Sequence, residues 1–160
     1  MTVLERVDEK RSRERMTPEL LDEMSRRAHG RMARERLSRI EEMRDVVRLN
    51  AQGLSQREIA KQLLTTQPRV MRILQAASLR GDLTDGQLPV MPEELILRTA
   101  VEHGDRRVMV QALKNFQHTE SRYAPYPAQG KISGTMDQIE DCYRQGYLSA
   151  DEFAEVRAVA

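Results

Sequence analysis

Residues 53–74 read Gly53-Leu54-Ser55-Gln56-Arg57-Glu58-Ile59-Ala60-Lys61-Gln62-Leu63-Leu64-Thr65-Thr66-Gln67-Pro68-Arg69-Val70-Met71-Arg72-Ile73-Leu74. The pattern predicts two short helices joined by a tight turn. Ser55 followed three residues later by Glu58 is a capping box, in which the hydroxyl takes an orphan amide at the helix start and the carboxylate reaches back to the cap amide. Ile59, Ala60 and Leu63 then share one face, with Gln56, Arg57, Lys61 and Gln62 on the other. Thr66 is placed to cap the second helix, and Pro68 falls in its first turn, where a missing N–H costs nothing. Val70, Ile73, Leu74 and Ala77 carry the apolar stripe onward, so the second helix is expected over 67–77.

This pair resembles the helix-turn-helix of bacterial and phage DNA-binding regulators, over residues 53–75. The resemblance implies that the second helix enters the major groove, whose width suits a helix. Its outward residues would meet base edges: Gln67, Pro68, Arg72 and Gln75. Gln suits adenine and Arg suits guanine in bidentate pairing. Ser55, Gln56, Arg57 and Lys61 on the first helix, with Thr66 and Arg69 beside the second, would lie along the phosphates. Ala60 keeps the small residue that lets the family's two helices approach closely. Leu64 departs from the pattern, because it occupies the turn position where the family usually has Gly, and Thr65 replaces a usual apolar residue. A non-Gly residue with positive φ is strained, so a turn of altered shape is expected. Without the resemblance, the same pattern also fits an ordinary helical hairpin with a solvated polar face.

Aromatics make up 4% of the 160 residues, Trp is absent and Met is frequent at 9, so the core should be Leu, Ile, Val, Ala and Met on helices. The fold class expected is all-α. No apolar run approaches the roughly 20 residues of a membrane span and no signal-peptide pattern opens the chain, which predicts a cytoplasmic protein without membrane contact. The lone Cys142 allows no intrachain disulfide. The net charge of +1 conceals a division. Residues 1–80 hold 18 Lys or Arg against 12 Asp or Glu, whereas residues 81–160 hold 8 against 13. The basic half contains the helix-turn-helix, as phosphate binding would require. The acidic half would repel DNA and needs another role.

Four segments are expected. Residues 1–16 form a flexible arm, read either as a basic segment tracking phosphate or as a solvated terminus. Residues 17–80 form the helix-turn-helix DNA-binding domain, in which the helix from Arg31 completes a three-helix unit with the two helices of residues 53–77 and a further short helix precedes it. Within it Thr17 and Pro18 open a helix with Leu20, Leu21, Met24 and Ala28 on one face, ending at Gly30; a second, with Leu37, Ile40, Met43, Val47 and Ala51, runs from Arg31 to the cap Gly53. Arg31, Arg34, Arg36 and Arg39 would touch DNA, pair with a second copy, or form a solvated salt-bridged surface. Residues 81–91 are a linker or small wing, and 92–160 an acidic helical module for dimerisation or partner binding. That module should hold a hairpin opened by Pro92 and by the cap Asp105, an extended connection over 117–135, and helices capped at Thr135 and at Ser149 with Glu152. Gln145-Gly146-Tyr147-Leu148-Ser149 echoes Gln52-Gly53-Leu54-Ser55 through shared capping chemistry. Gly134-Thr135-Met136-Asp137 together with residues 145–153 resembles a helical module that trails actinobacterial and phage regulator-like proteins.

No Gly-rich phosphate loop, nucleophile elbow or paired-His motif occurs. His29, His103 and His118 each read as helix-end residues, where a cation suits the dipole. Glu41/Glu42, Glu93/Glu94 and Asp151/Glu152 read as caps or polar faces. Asp137, Glu140 and Asp141 lack metal-ligand spacing. Neither catalysis nor a metal or cofactor is expected. Two functions survive: a sequence-specific regulator of double-stranded DNA, a homodimeric repressor; or an antitoxin-like protein whose acidic C-terminal half binds and neutralises a protein partner.

Overall fold

Pro18, at the first helical position after Thr17, opens a helix that runs unbroken to Ala51 (α1, Pro18–Ala51). In this computed structural model, which describes residues 17–118 and 134–159, six further helices follow. They are α2 (Gln56–Gln62), α3 (Gln67–Ser78), α4 (Pro92–Glu102), α5 (Arg106–Asn115), α6 (Met136–Arg144) and α7 (Ala150–Arg157). The protein is all-α. The arm over 1–16 and most of the connection over 117–135, with Tyr123 and Tyr126, lie outside the described residues.

The expected helix end at Gly30 is corrected: the 34 residues of α1 form one rod of about 50 Å at 1.5 Å per residue. A glycine in a helix interior costs only about 1 kcal/mol relative to alanine. Burial of Ala33 and Leu37 against Ile96, Leu97 and Leu113 exceeds that cost. The Tyr147 hydroxyl, donating to the His29 carbonyl at 2.9 Å, further ties this part of the rod down. His29 is therefore a mid-helix residue and not a helix-end one. Leu21 and Met24, expected to share a packed face, are instead exposed.

Three apolar clusters line α1. Ala33 and Leu37 join α4, α5, α6 and α7 through Ile96, Leu97, Met109, Val110, Leu113, Ile139, Cys142, Leu148 and Val156. Ile40 and Val47 meet Ala77 and Leu88, the latter from the segment between α3 and α4. Val46 meets Ile59, Ala60 and Val70. Val46 and Val47 thus enter different clusters, because α1 is covered on two sides. A single periodic stripe cannot announce that arrangement.

The caps explain where the helices stop. At the end of α1 the Leu54 amide bonds the Leu49 carbonyl and the Gly53 amide the Asn50 carbonyl, with Gly53 at φ +90°. The same double bond recurs after α6, where Tyr147 and Gly146 donate to Cys142 and Tyr143. Each glycine is followed by a Ser–Glu capping box, Ser55/Glu58 and Ser149/Glu152. The echo between the two stretches is this chemistry. Thr17 and Thr135 hold cap positions without a side-chain cap bond.

The carboxylates of α4 correct a second expectation. Glu93 and Glu94 sit in its first turn, yet neither serves merely as a cap. Glu93 pairs with Arg36 of α1, while the buried Glu94 pairs with Arg44 at 2.5 Å and Arg98 at 3.0 Å. The basic surface of α1 is therefore partly consumed by α4 within the chain.

Candidate nucleic-acid interface

α2 starts where the sequence demands: the Glu58 amide donates to Ser55 Oγ at 3.2 Å and the Ser55 amide to Glu58 Oε2 at 2.7 Å. Ile59 and Ala60 are buried against α1 and α3. The turn that follows keeps its left-handed residue although that residue is leucine. Leu64 has φ +55° and is 94% exposed, so its side chain avoids the backbone by pointing to solvent. The Thr65 amide bonds the Ala60 carbonyl at 2.9 Å and the Leu64 amide the Lys61 carbonyl at 3.4 Å. This is the pattern seen at Gly53 and Gly146, so Leu64 holds the left-handed position that glycine holds after α1 and α6. Strain is accepted in place of a different path.

Thr66 Oγ1 then accepts from the Arg69 amide at 3.4 Å, and α3 begins. Val70 and Ala77 are buried. Pro68, Arg72 and Gln75, at i, i+4 and i+7, form a ridge on the opposite side, and all three are exposed. Gln67 is exposed on the first turn. The four residues expected to read bases are thus all exposed, three of them on one ridge and Gln67 beside its start. Met71, which sequence reasoning passed over, flanks this ridge at 43% exposure, one turn from both Gln67 and Gln75. It lay off the apolar stripe in the sequence, and that was the only available signal.

Of the residues expected along the phosphates, Ser55, Arg57, Lys61, Thr66 and Arg69 are exposed and Gln56 is half-buried. Ser55 and Thr66 use their oxygen lone pairs as caps, which leaves each O–H free to donate to an acceptor. Arg57, Lys61 and Arg72 enter no salt bridge among the described residues. Arg69 differs: its Nε and Nη2 hold Glu42 of α1 at 2.9 and 2.8 Å. It fixes the first turn of α3 against α1 and has less charge to spare for an anion.

Between Ser55 and Ser78 the one carboxylate, Glu58, is tied into its capping box, against four cations at 57, 61, 69 and 72. The surface is therefore cationic and rich in hydrogen-bonding side chains, which suits an extended polyanion. Elsewhere, burial pushes the Cys142 thiol up to about 12, so it is protonated at neutral pH and no nucleophile. No group of three metal-ligating side chains occurs among the described residues, and none of the described helices is long and apolar enough to cross a membrane. The chain matches no family model, no curated protein and no solved structure.

Proposed function

We propose that this protein is a sequence-specific regulator of double-stranded DNA, a repressor acting in the cytoplasm as a homodimer, with α3 in the major groove. The observation that carries the reading is the outward ridge of α3, where Pro68, Arg72 and Gln75 stand clear of the core beside Gln67, with no carboxylate on the helix. Arg72 and Gln75 supply the planar donors and acceptors that discriminate guanine and adenine edges. Arg57 and Lys61, one turn apart on α2, supply phosphate contacts together with the Ser55 and Thr66 hydroxyls. One helix of about three turns reads few base pairs, so two copies on a repeated half-site give the affinity a regulator needs.

The test is selection of the purified protein on a random duplex library at two salt concentrations, followed by sequencing of the retained duplexes. Enrichment of one motif, with two half-sites related by symmetry, is the expected result. Weak, salt-sensitive retention without a motif would overturn sequence-specific reading. It would leave the acidic C-terminal half, as the binding surface of an antitoxin-like protein, to explain the molecule.

A further inference from the structure

An open groove of about 780 Å³ lies between the N-terminal half of α1, the end of α4 and the turn joining α6 to α7. That volume falls in the range of small-molecule sites. No residue of α2 or α3 lines it. Its floor is apolar, formed by Ala100 and Val101 with the edges of Tyr147 and Leu148, over the buried Ala33. Its rim is cationic. Two carboxylates reach it, but each is already held: Glu23 by Arg27 at 2.6 Å and Glu152 by Arg106 at 2.7 Å. Arg26 and Arg34 also line it, and neither enters a salt bridge among the described residues.

A glycine inside α1 and two helix caps border this groove. Gly30 stands inside α1, where alanine would make the better helix. A Cβ there would lie 3.4 Å from Arg34 Nη1, so the bare glycine gives the guanidinium room to fold back along the groove wall. Gly146, at φ +86°, faces the His29 ring, which a Cβ would meet at 3.4 Å. His103, on the rim, is the left-handed C-cap that ends α4 at φ +51°.

We infer that this groove binds a small organic carboxylate, its anionic group taken by Arg26 and Arg34 and its apolar body laid on Ala100, Val101 and the edge of Leu148. The planar guanidinium fork matches a carboxylate in bidentate geometry, which favours this class over a cation or a neutral polar molecule. An apolar body is required because the two arginines stand over a floor with little to offer a fully polar anion.

The test is a titration of the full chain, followed by amide NMR, with benzoate, 2-naphthoate and octanoate as probes. Benzamide serves as the neutral twin and acetate as the anion without a body. Saturable binding of at least one probe, with shifts at Ala100, Val101 and Leu148 and binding at least about tenfold weaker for benzamide and acetate, is expected. Arg34→Gln and Arg26→Gln should each weaken that probe about tenfold while leaving the melting temperature unchanged. Absence of saturation by all three probes up to about 10 mM would overturn the inference, since even weak sites fill there. So would binding that both variants leave intact, or shifts located elsewhere. The titration uses no DNA, so an empty groove and a protein that ignores DNA are separate results.

Discussion

Arg44 of α1 reaches the buried Glu94 of α4 at 2.5 Å, and this contact joins the rod that packs against α2 and α3 to the acidic half of the chain. Arg98 holds the second carboxylate oxygen at 3.0 Å and extends toward Glu41 of α1. Its hydrogen bond to Glu94 raises the Arg98 pKa further. Arg80, just beyond α3, completes the group: burial lowers its pKa, and the Glu93 and Glu94 charges oppose that shift. The division of charge seen in the sequence is therefore partly offset where the two halves meet.

Removing Glu94 should be costly because it leaves several arginines facing one another without their shared anion. Glu94→Ala is expected to destabilise by about 3 kcal/mol, toward the lower end for a broken buried pair since Arg44 and Arg98 are each about one-third exposed and can rehydrate. Arg44→Ala leaves Arg98 on the carboxylate and should cost less, about 1–2 kcal/mol. Urea denaturation of the three proteins measures both. A loss below about 1 kcal/mol for Glu94→Ala would show that the cluster does not hold the halves together.

Leu64→Gly should stabilise the protein. The left-handed conformation costs a non-glycine residue roughly 1–2 kcal/mol, and the exposed Leu64 side chain buries little to offset it. Glycine removes that strain but loses about 0.5–1 kcal/mol through the greater freedom of the unfolded chain. A net gain of about 0.5–1 kcal/mol is expected from the shift in thermal midpoint. A destabilised variant would mean that the Leu64 side chain has a packing role that its exposure hides.

What the sequence made legible was local. The Ser55–Glu58 and Ser149–Glu152 boxes, the Thr66 and Asp105 caps and the glycines after α1 and α6 are decided within six residues, so spacing alone reveals them. The outward ridge of α3 was legible for the same reason, since its exposure follows from the stripe of Val70, Ile73, Leu74 and Ala77. What escaped was decided across the chain. Gly30 fails to end α1 because α4 and the α6–α7 turn pack beside it, and Glu94 is an ionic centre because Arg44 lies 50 positions earlier in the sequence. The Arg69–Glu42 pair, which braces the first turn of α3 against α1, was hidden likewise.

Acid should weaken the C-terminal hairpin through Glu152. Its carboxylate accepts from Arg106 at 2.7 and 2.9 Å and from the Ser149 amide at 2.8 Å. The Arg106 hydrogen bonds chiefly, with Ser149 adding and burial opposing, bring its pKa from the ordinary 4.5 down to about 2. A carboxylate lowered on folding contributes stability that is complete above 4.5 and disappears as the pH falls through 2. Glu152→Gln keeps an acceptor for the Ser149 amide while removing the charge. Urea midpoints recorded between pH 5 and 2 should therefore fall more steeply for the natural chain than for this variant. Parallel curves would mean that the Arg106 contact contributes nothing in solution.

Arg72 and Lys61 should separate base reading from phosphate binding. Arg72 stands on the α3 ridge with no ion partner among the described residues, so Arg72→Ala should cost about 1–3 kcal/mol on the selected duplex and relax the preference at one base pair. Lys61, exposed on α2, offers charge without planar geometry. Lys61→Ala should weaken all duplexes alike and reduce the slope of log affinity against log salt by about one. Competition titrations on matched and single-mismatch duplexes, at several salt concentrations, distinguish the two effects. If Arg72→Ala lowered affinity for every sequence equally, its guanidinium would be touching backbone, and α3 would lie across the groove with the Gln67 end nearest the bases.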